Sequence, residues 1–120
     1  MGCLFSLMPG PVLQAAQNNL FNEAQVAFSA GNFDLAMHKI RQLPVVQGVN
    51  EDAPLELLCY NIGLANSSRE KYPQAEDAFS ECIKRFPKGE YTSRAYLGLG
   101  RARMLQNAQD ALAGVAQAEL

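Results

Sequence analysis

A chain of 120 residues makes one small domain, and 48% apolar against 18% charged side chains excludes both a disordered tail and a membrane bundle. Ten basic and twelve acidic groups leave a net charge of −2, so the chain as a whole has no electrostatic pull on nucleic acid. Three cysteines at positions 3, 59 and 82 without CxxC spacing exclude a disulfide scaffold and a zinc ribbon, and the single histidine excludes a site needing two imidazoles.

Residues 1–17 read as a leader. Its first sixteen residues carry no charge, and Pro9, Gly10 and Pro11 break the apolar run, which is too short to span a bilayer. Small residues at Ala15 and Ala16 suit the cleavage end of a secretory signal, although no basic segment precedes them. Met1-Gly2-Cys3-Leu4-Phe5-Ser6 also fits the myristoylation pattern, with Cys3 placed for palmitoylation, and a plain disordered leader is the third reading.

From Asn18 the apolar period is helical. Leu20, Ala24, Ala27 and Phe28 share one helix face that Gly31-Asn32 closes, and Phe33, Ala36, Met37, Ile40 and Leu43 form a second stripe ending at Pro44. Val45 to Asp52 is a connector. Pro54 opens a third helix along Leu55, Leu58, Cys59, Ile62, Gly63 and Ala65, and Pro73 a fourth whose buried side is Ala75, Phe79, Cys82 and Ile83. A third pair is expected from about Tyr91 to Leu105 and Ala108 to Leu120, with its turn at Gln106-Asn107. No period-two alternation is sustained, so no sheet is expected.

The second helices of the three pairs align on Ala36, Ala75 and Ala111. Each alanine follows Phe33, Tyr72 or Ala108 by three residues and precedes Ile40, Phe79 or Val115 by four. A small residue lets two antiparallel helices approach, and a large one a turn later fills the next layer of the groove. The pattern predicts an all-α stack of three antiparallel hairpins over residues 18–44, 54–87 and 91–120.

These residues resemble the tetratricopeptide repeat. The middle unit carries Ile62-Gly63, Tyr72, Ala75, Phe79, Cys82 and Pro87; the first carries Ala24, Gly31, Phe33 and Ala36, and the third Leu99-Gly100, Ala102 and Ala111. Asn66 stands where the family usually has an aromatic residue, and Glu70 replaces the turn glycine. The run from Phe79 to Tyr91, with Ala95 and Leu99-Gly100, is similar to repeats of bacterial envelope proteins of the Tol-Pal coordinator and outer-membrane assembly lipoprotein type. That resemblance implies a right-handed superhelical α-solenoid, an adaptor role, and a periplasmic or envelope location, a cytoplasmic one staying open.

Reaction chemistry finds little footing. No nucleophile, base and oxyanion donor can be assembled from these residues, and no cofactor motif or metal-ligand spacing is present, so a non-enzyme is expected. His38 has only Asp34 one turn away and reads as solvated. Cys59 and Cys82 read as packed thiols, a disulfide between them being the alternative. Gly98-Leu99-Gly100 lacks the strand and lysine of a phosphate loop, and Asn66-Ser67-Ser68 matches a glycosylation sequon. Residues 84–103 hold six basic groups (Lys84, Arg85, Lys88, Arg94, Arg101, Arg103) against Glu90 alone.

What the resemblance carries over is a concave groove lined by the first helix of each pair. By helical spacing Phe21, Gln25 and Phe28, then Tyr60, Leu64 and Ser67, then Arg94, Leu97, Arg101 and Met104 would face it, running from aromatic to basic. Such a groove suits a protein or peptide partner with apolar anchors and a carboxylate. The alternative is a self-assembling element whose uncapped terminal helices stack, since the alanine-rich last helix carries only Asp110 and Glu119 as charges.

Overall fold

The computed structural model describes residues 10–45 and 53–118. Over these the chain is all-α: α1 (Gly10–Ser29), α2 (Phe33–Arg41), α3 (Ala53–Ser68), α4 (Tyr72–Arg85) and α5 (Thr92–Ala118). α1 pairs with α2 and α3 with α4, and α5 packs along α4 and touches α3. The lipidation pattern, Cys3, most of the connector and the last two residues lie outside the described segments.

α1 begins at Gly10, eight residues before the expected start at Asn18, so the second half of the leader is helical. Pro11 permits this because it falls in the first turn, where its missing N–H would have no helical acceptor anyway.

The two inter-helix turns are built alike. After α1, Gly31 takes a left-handed φ of 79°, its N–H donating to the Phe28 carbonyl while the Asn32 N–H reaches back to Ala27. After α3, Glu70 adopts φ 60°, with its N–H on Ser67 and the Lys71 N–H on Asn66. Each satisfies the last carbonyls of its helix in the same left-handed cap. Glycine takes that conformation without strain, whereas glutamate does so against its own Cβ. Pro73 removes the alternative, since a continuous helix there would drive its ring into the Arg69 carbonyl. Asn32 then caps α2, its Oδ1 accepting from the Leu35 N–H at 3.2 Å.

The third hairpin does not form. α5 runs 27 residues through the expected turn at Gln106-Asn107, and Ala111 is exposed to solvent while Ala36 and Ala75 are fully buried. The reason lies in the residues: Gln106 to Ala113 contains no glycine or proline, and its three alanines are the best helix formers. Without a breaker a helix continues. The described chain is therefore elongated, about 62 × 26 × 26 Å.

Phe79 is the centre of the core. Its ring is fully buried, and Gly63 of α3 and Gly98 of α5 bracket it so closely that a Cβ on either would come within 2.5 Å of ring carbons. Both helices reach α4 at that layer because they have no side chain there. Around it lie Ile40, Cys59, Ile62, Ala75, Ala78 and Cys82, all shielded from water.

Arg85 ties the hairpins together. Buried on α4, it donates through Nη2 to the carbonyls of Ile40 at 2.8 Å and Leu43 at 3.0 Å, closing the C-terminal end of α2 where a cation is favoured by the helix dipole. Its Nε lies 3.5 Å from Glu81, which also faces Arg41 at 3.8 Å. Glu56 does a similar job at the other junction, its buried carboxylate accepting from the N–H groups of Glu90 and Tyr91, both at 3.1 Å, just before α5. A side chain at Gly89 would overlap that carboxylate, which accounts for the glycine there. Thr92 completes the turn by accepting from the Gly89 N–H and donating to the Phe86 carbonyl.

Candidate functional site

Because α3 contacts both α1 and α5, the first helices of successive pairs lie side by side and could form one face. The ten expected groove residues fall on these three helices with unequal access. Phe21 and Phe28 are half-buried against the core, Phe28 meeting Phe33 at 5.4 Å between ring centres, with the Arg69 guanidinium 4.4 Å above Phe33. The aromatic end thus spends much of its area on packing. Gln25 and Leu64 are exposed, Ser67 is half-buried, and Arg94, Leu97, Arg101 and Met104 are exposed along α5 at helical spacing.

The centre of this set is a ladder of rings and charge. Tyr60 is half-buried, tilted against Phe79 at 5.9 Å and stacked on Tyr91 at 5.3 Å, and the Arg94 guanidinium lies 5.6 Å over the Tyr91 ring. Offset aromatic stacking and a cation over a ring face are both favourable, and here they hold a flat, amphipathic surface in place without a ligand. Tyr91 was not among the groove residues read from sequence, since it stands in the linker rather than on a helix stripe. Its signal was the aromatic residue directly after Gly89-Glu90, which the Glu56 carboxylate fixes beside Tyr60.

The basic stretch 84–103 is less basic at its surface than its composition suggests. Arg85 is consumed inside the protein, and Arg103 pairs with Glu76 at 2.9 Å. Lys84, Lys88, Arg94 and Arg101 stay on the surface.

Two clefts lie away from this face. One, about 510 Å³, opens between α1 and α2 along Asn19, Asn22, Glu23, Val26, Leu35 and Lys39. A Glu23–Lys39 ion pair of 2.9 Å stands there, where the residues 39 positions on, Ile62 and Ala78, are buried. The first hairpin therefore carries polar groups at positions that the second hairpin buries, as a capping unit does. A smaller cleft of about 180 Å³ separates the hairpins at Asp34, Met37, Arg41, Asn66, Gln74 and Asp77.

Cys59 and Cys82 are buried free thiols. Burial pushes the Cys82 thiol up to about 12, helped by the Glu56 charge, and raises Cys59 further, with Cys82 itself the next cause. Both are thus protonated and poor nucleophiles at neutral pH. His38 is exposed on α2. Asn66 is buried in the last turn of α3, so the sequon offers no accessible amide. Gly98-Leu99-Gly100 sits inside α5, with Gly98 against Phe79 and Gly100 facing open space. Among the described residues no helix is long and apolar enough to cross a membrane, and no three His, Cys, Asp or Glu side chains gather as a metal site.

No family model matches the chain, and comparison with curated proteins and with solved structures finds no similar protein.

Proposed function

We propose that the chain is a non-enzymatic protein-interaction module of the tetratricopeptide kind, docking a peptide or a partner's segment across the face formed by α1, α3 and α5. The observation that carries this reading is the Tyr60–Tyr91–Arg94 ladder beside exposed Leu64, Leu97, Arg101 and Met104. Rigid aromatic rings, apolar side chains and guanidinium groups on one surface are what interaction hot spots are made of. Apolar anchors would rest between Leu64 and Leu97, and a carboxylate would meet Arg94 or Arg101. A bacterial envelope setting follows from the linker resemblance and is part of the same proposal.

Selection from a displayed random-peptide library, followed by fluorescence anisotropy, tests it. Peptides with an acidic group next to apolar residues are expected, their binding weakened tenfold or more by Arg101→Glu and by Leu64→Glu with helicity unchanged. Selected peptides indifferent to both substitutions would refute the face. Self-association has its own supporting observation, the bare second half of α5.

A further inference from the structure

α5 is only half used. α3 is buried on two stripes, one along Leu55, Leu58 and Ile62 and another along Cys59, Gly63 and Asn66; Gly63 lies against Phe79 of α4, its hairpin partner. α5 is buried on one stripe alone, Ala95, Leu99 and Ala102. Matching that stripe to the first stripe of α3 (Ile62 to Leu99) puts Tyr96, Gly100 and Arg103 in the places of Cys59, Gly63 and Asn66. All three are exposed, Tyr96 at 59%, although the Arg103 guanidinium reaches across to Glu76 of α4, and Gly100 has nothing within 4 Å of its Cβ position. This is the seat of a missing hairpin partner.

The same helix carries the partner. Ala108, Ala111 and Val115 repeat the spacing of Tyr72, Ala75 and Phe79, yet they are exposed, Val115 at 57%, because α5 has no turn to bring them back. The geometry points to a second copy of this chain as the occupant: two α5 helices pair antiparallel about residue 107, each one's second half filling the bare seat on the other's first half. In α3 and α4 Gly63 meets Phe79, residue numbers summing to 142, and that antiparallel register sets Asn66 level with Ala75 and Glu76. Carried to α5, Gly100 would receive Val115 and Arg103 would face Ala111 of the other copy.

Charge favours the antiparallel sense. The first half of α5 holds Arg94, Arg101 and Arg103 and no acid, and Asp110 is the only charge from 104 to 118. Antiparallel pairing about residue 107 sets Asp110 of each copy within a turn of Arg101 of the other, Arg103 being held by Glu76 of its own chain, whereas parallel pairing sets arginines against arginines. The seam spans about twenty residues, and a specific dimer requires roughly 1,200 Å² or more of total buried area. The dimer seam and the peptide face rest on different observations, although both include Arg101 of α5; Leu64→Glu, on α3 and outside the seam, separates them.

Sedimentation of the full chain from 1 to 200 µM tests it, with pulsed dipolar spectroscopy on a spin label at Ala116→Cys in a Cys3→Ser background. A dimer is expected, with labels separated by about 27 Å along the seam, the axial distance that nine residues on either side of the centre impose at 1.5 Å each. A Cβ at Gly100 meets nothing in its own chain, so Gly100→Leu should keep the helicity of the monomer and still raise the dimer dissociation constant 100-fold or more, as should Val115→Glu, while Ala113→Glu on the outer face leaves it unchanged. A monomer at 200 µM, a label distance below about 20 Å, or a dimer insensitive to Gly100→Leu would overturn the proposal.

Discussion

Arg85 has few features in the sequence to distinguish it from its neighbour Lys84, yet one lies buried and the other in solvent. Its guanidinium satisfies two carbonyls that end α2 and neutralises Glu81 in a space with little water. Arg85→Met keeps much of the volume and leaves those groups unpartnered, so a loss of about 2–4 kcal/mol is expected in urea unfolding. Adding Glu81→Leu should recover part of it, because the uncompensated charge goes too. Glu70 is the opposite case, a residue held in a conformation that costs it energy. Glu70→Gly should raise stability by about 0.5–1 kcal/mol, read from the same unfolding curves. The thiols give a pH test. A group whose folded value is raised contributes stability that is complete below its unfolded value, near 9, and is lost as pH climbs towards about 12. Stability should therefore fall between pH 9 and 11 by up to about 1.4 kcal/mol per unit for each thiol, and the fall should be shallower in Cys82→Ala.

At the scale of helices, glycine content looks like weakness until its surroundings are known. Gly63 and Gly98 admit the Phe79 ring, while Gly114 on the same helix as Gly98 meets nothing. Gly98→Ala should cost about 1–3 kcal/mol by overpacking, and Gly114→Ala should gain roughly 0.5–1 kcal/mol through helix propensity, both by thermal or chemical unfolding. The first four helices were legible in the sequence because Gly31 and the prolines at 54 and 73 mark their starts and stops beside clear apolar stripes. The fifth misled for a physical reason. The spacing of Ala108, Ala111 and Val115 predicts a packing face, and spacing says nothing about whether a turn exists to deliver it. α1 misled similarly: two prolines argue against a helix spanning both, but Pro11 alone is harmless at a helix start.

For the molecule as a whole, two hairpins nest through Phe79 and Arg85, and α5 closes one side before running on uncovered. The helices bearing the candidate face were legible, since spacing assigns side chains to helix stripes. The division of labour within it was not: Phe21 and Phe28 turn partly into packing, and Tyr91 enters because a buried carboxylate on α3 positions the linker. Neither follows from periodicity, which is blind to contacts between elements. On the proposed function, the surface of α1, α3 and α5 is where another molecule is held. The direct measurement is an amide chemical-shift map of the chain titrated with a selected peptide. Perturbations should concentrate at Tyr60, Leu64, Tyr91, Arg94, Leu97 and Arg101. Perturbations confined to the α1–α2 cleft at Asn19, Val26 and Leu35 would place the partner elsewhere and overturn the proposed face.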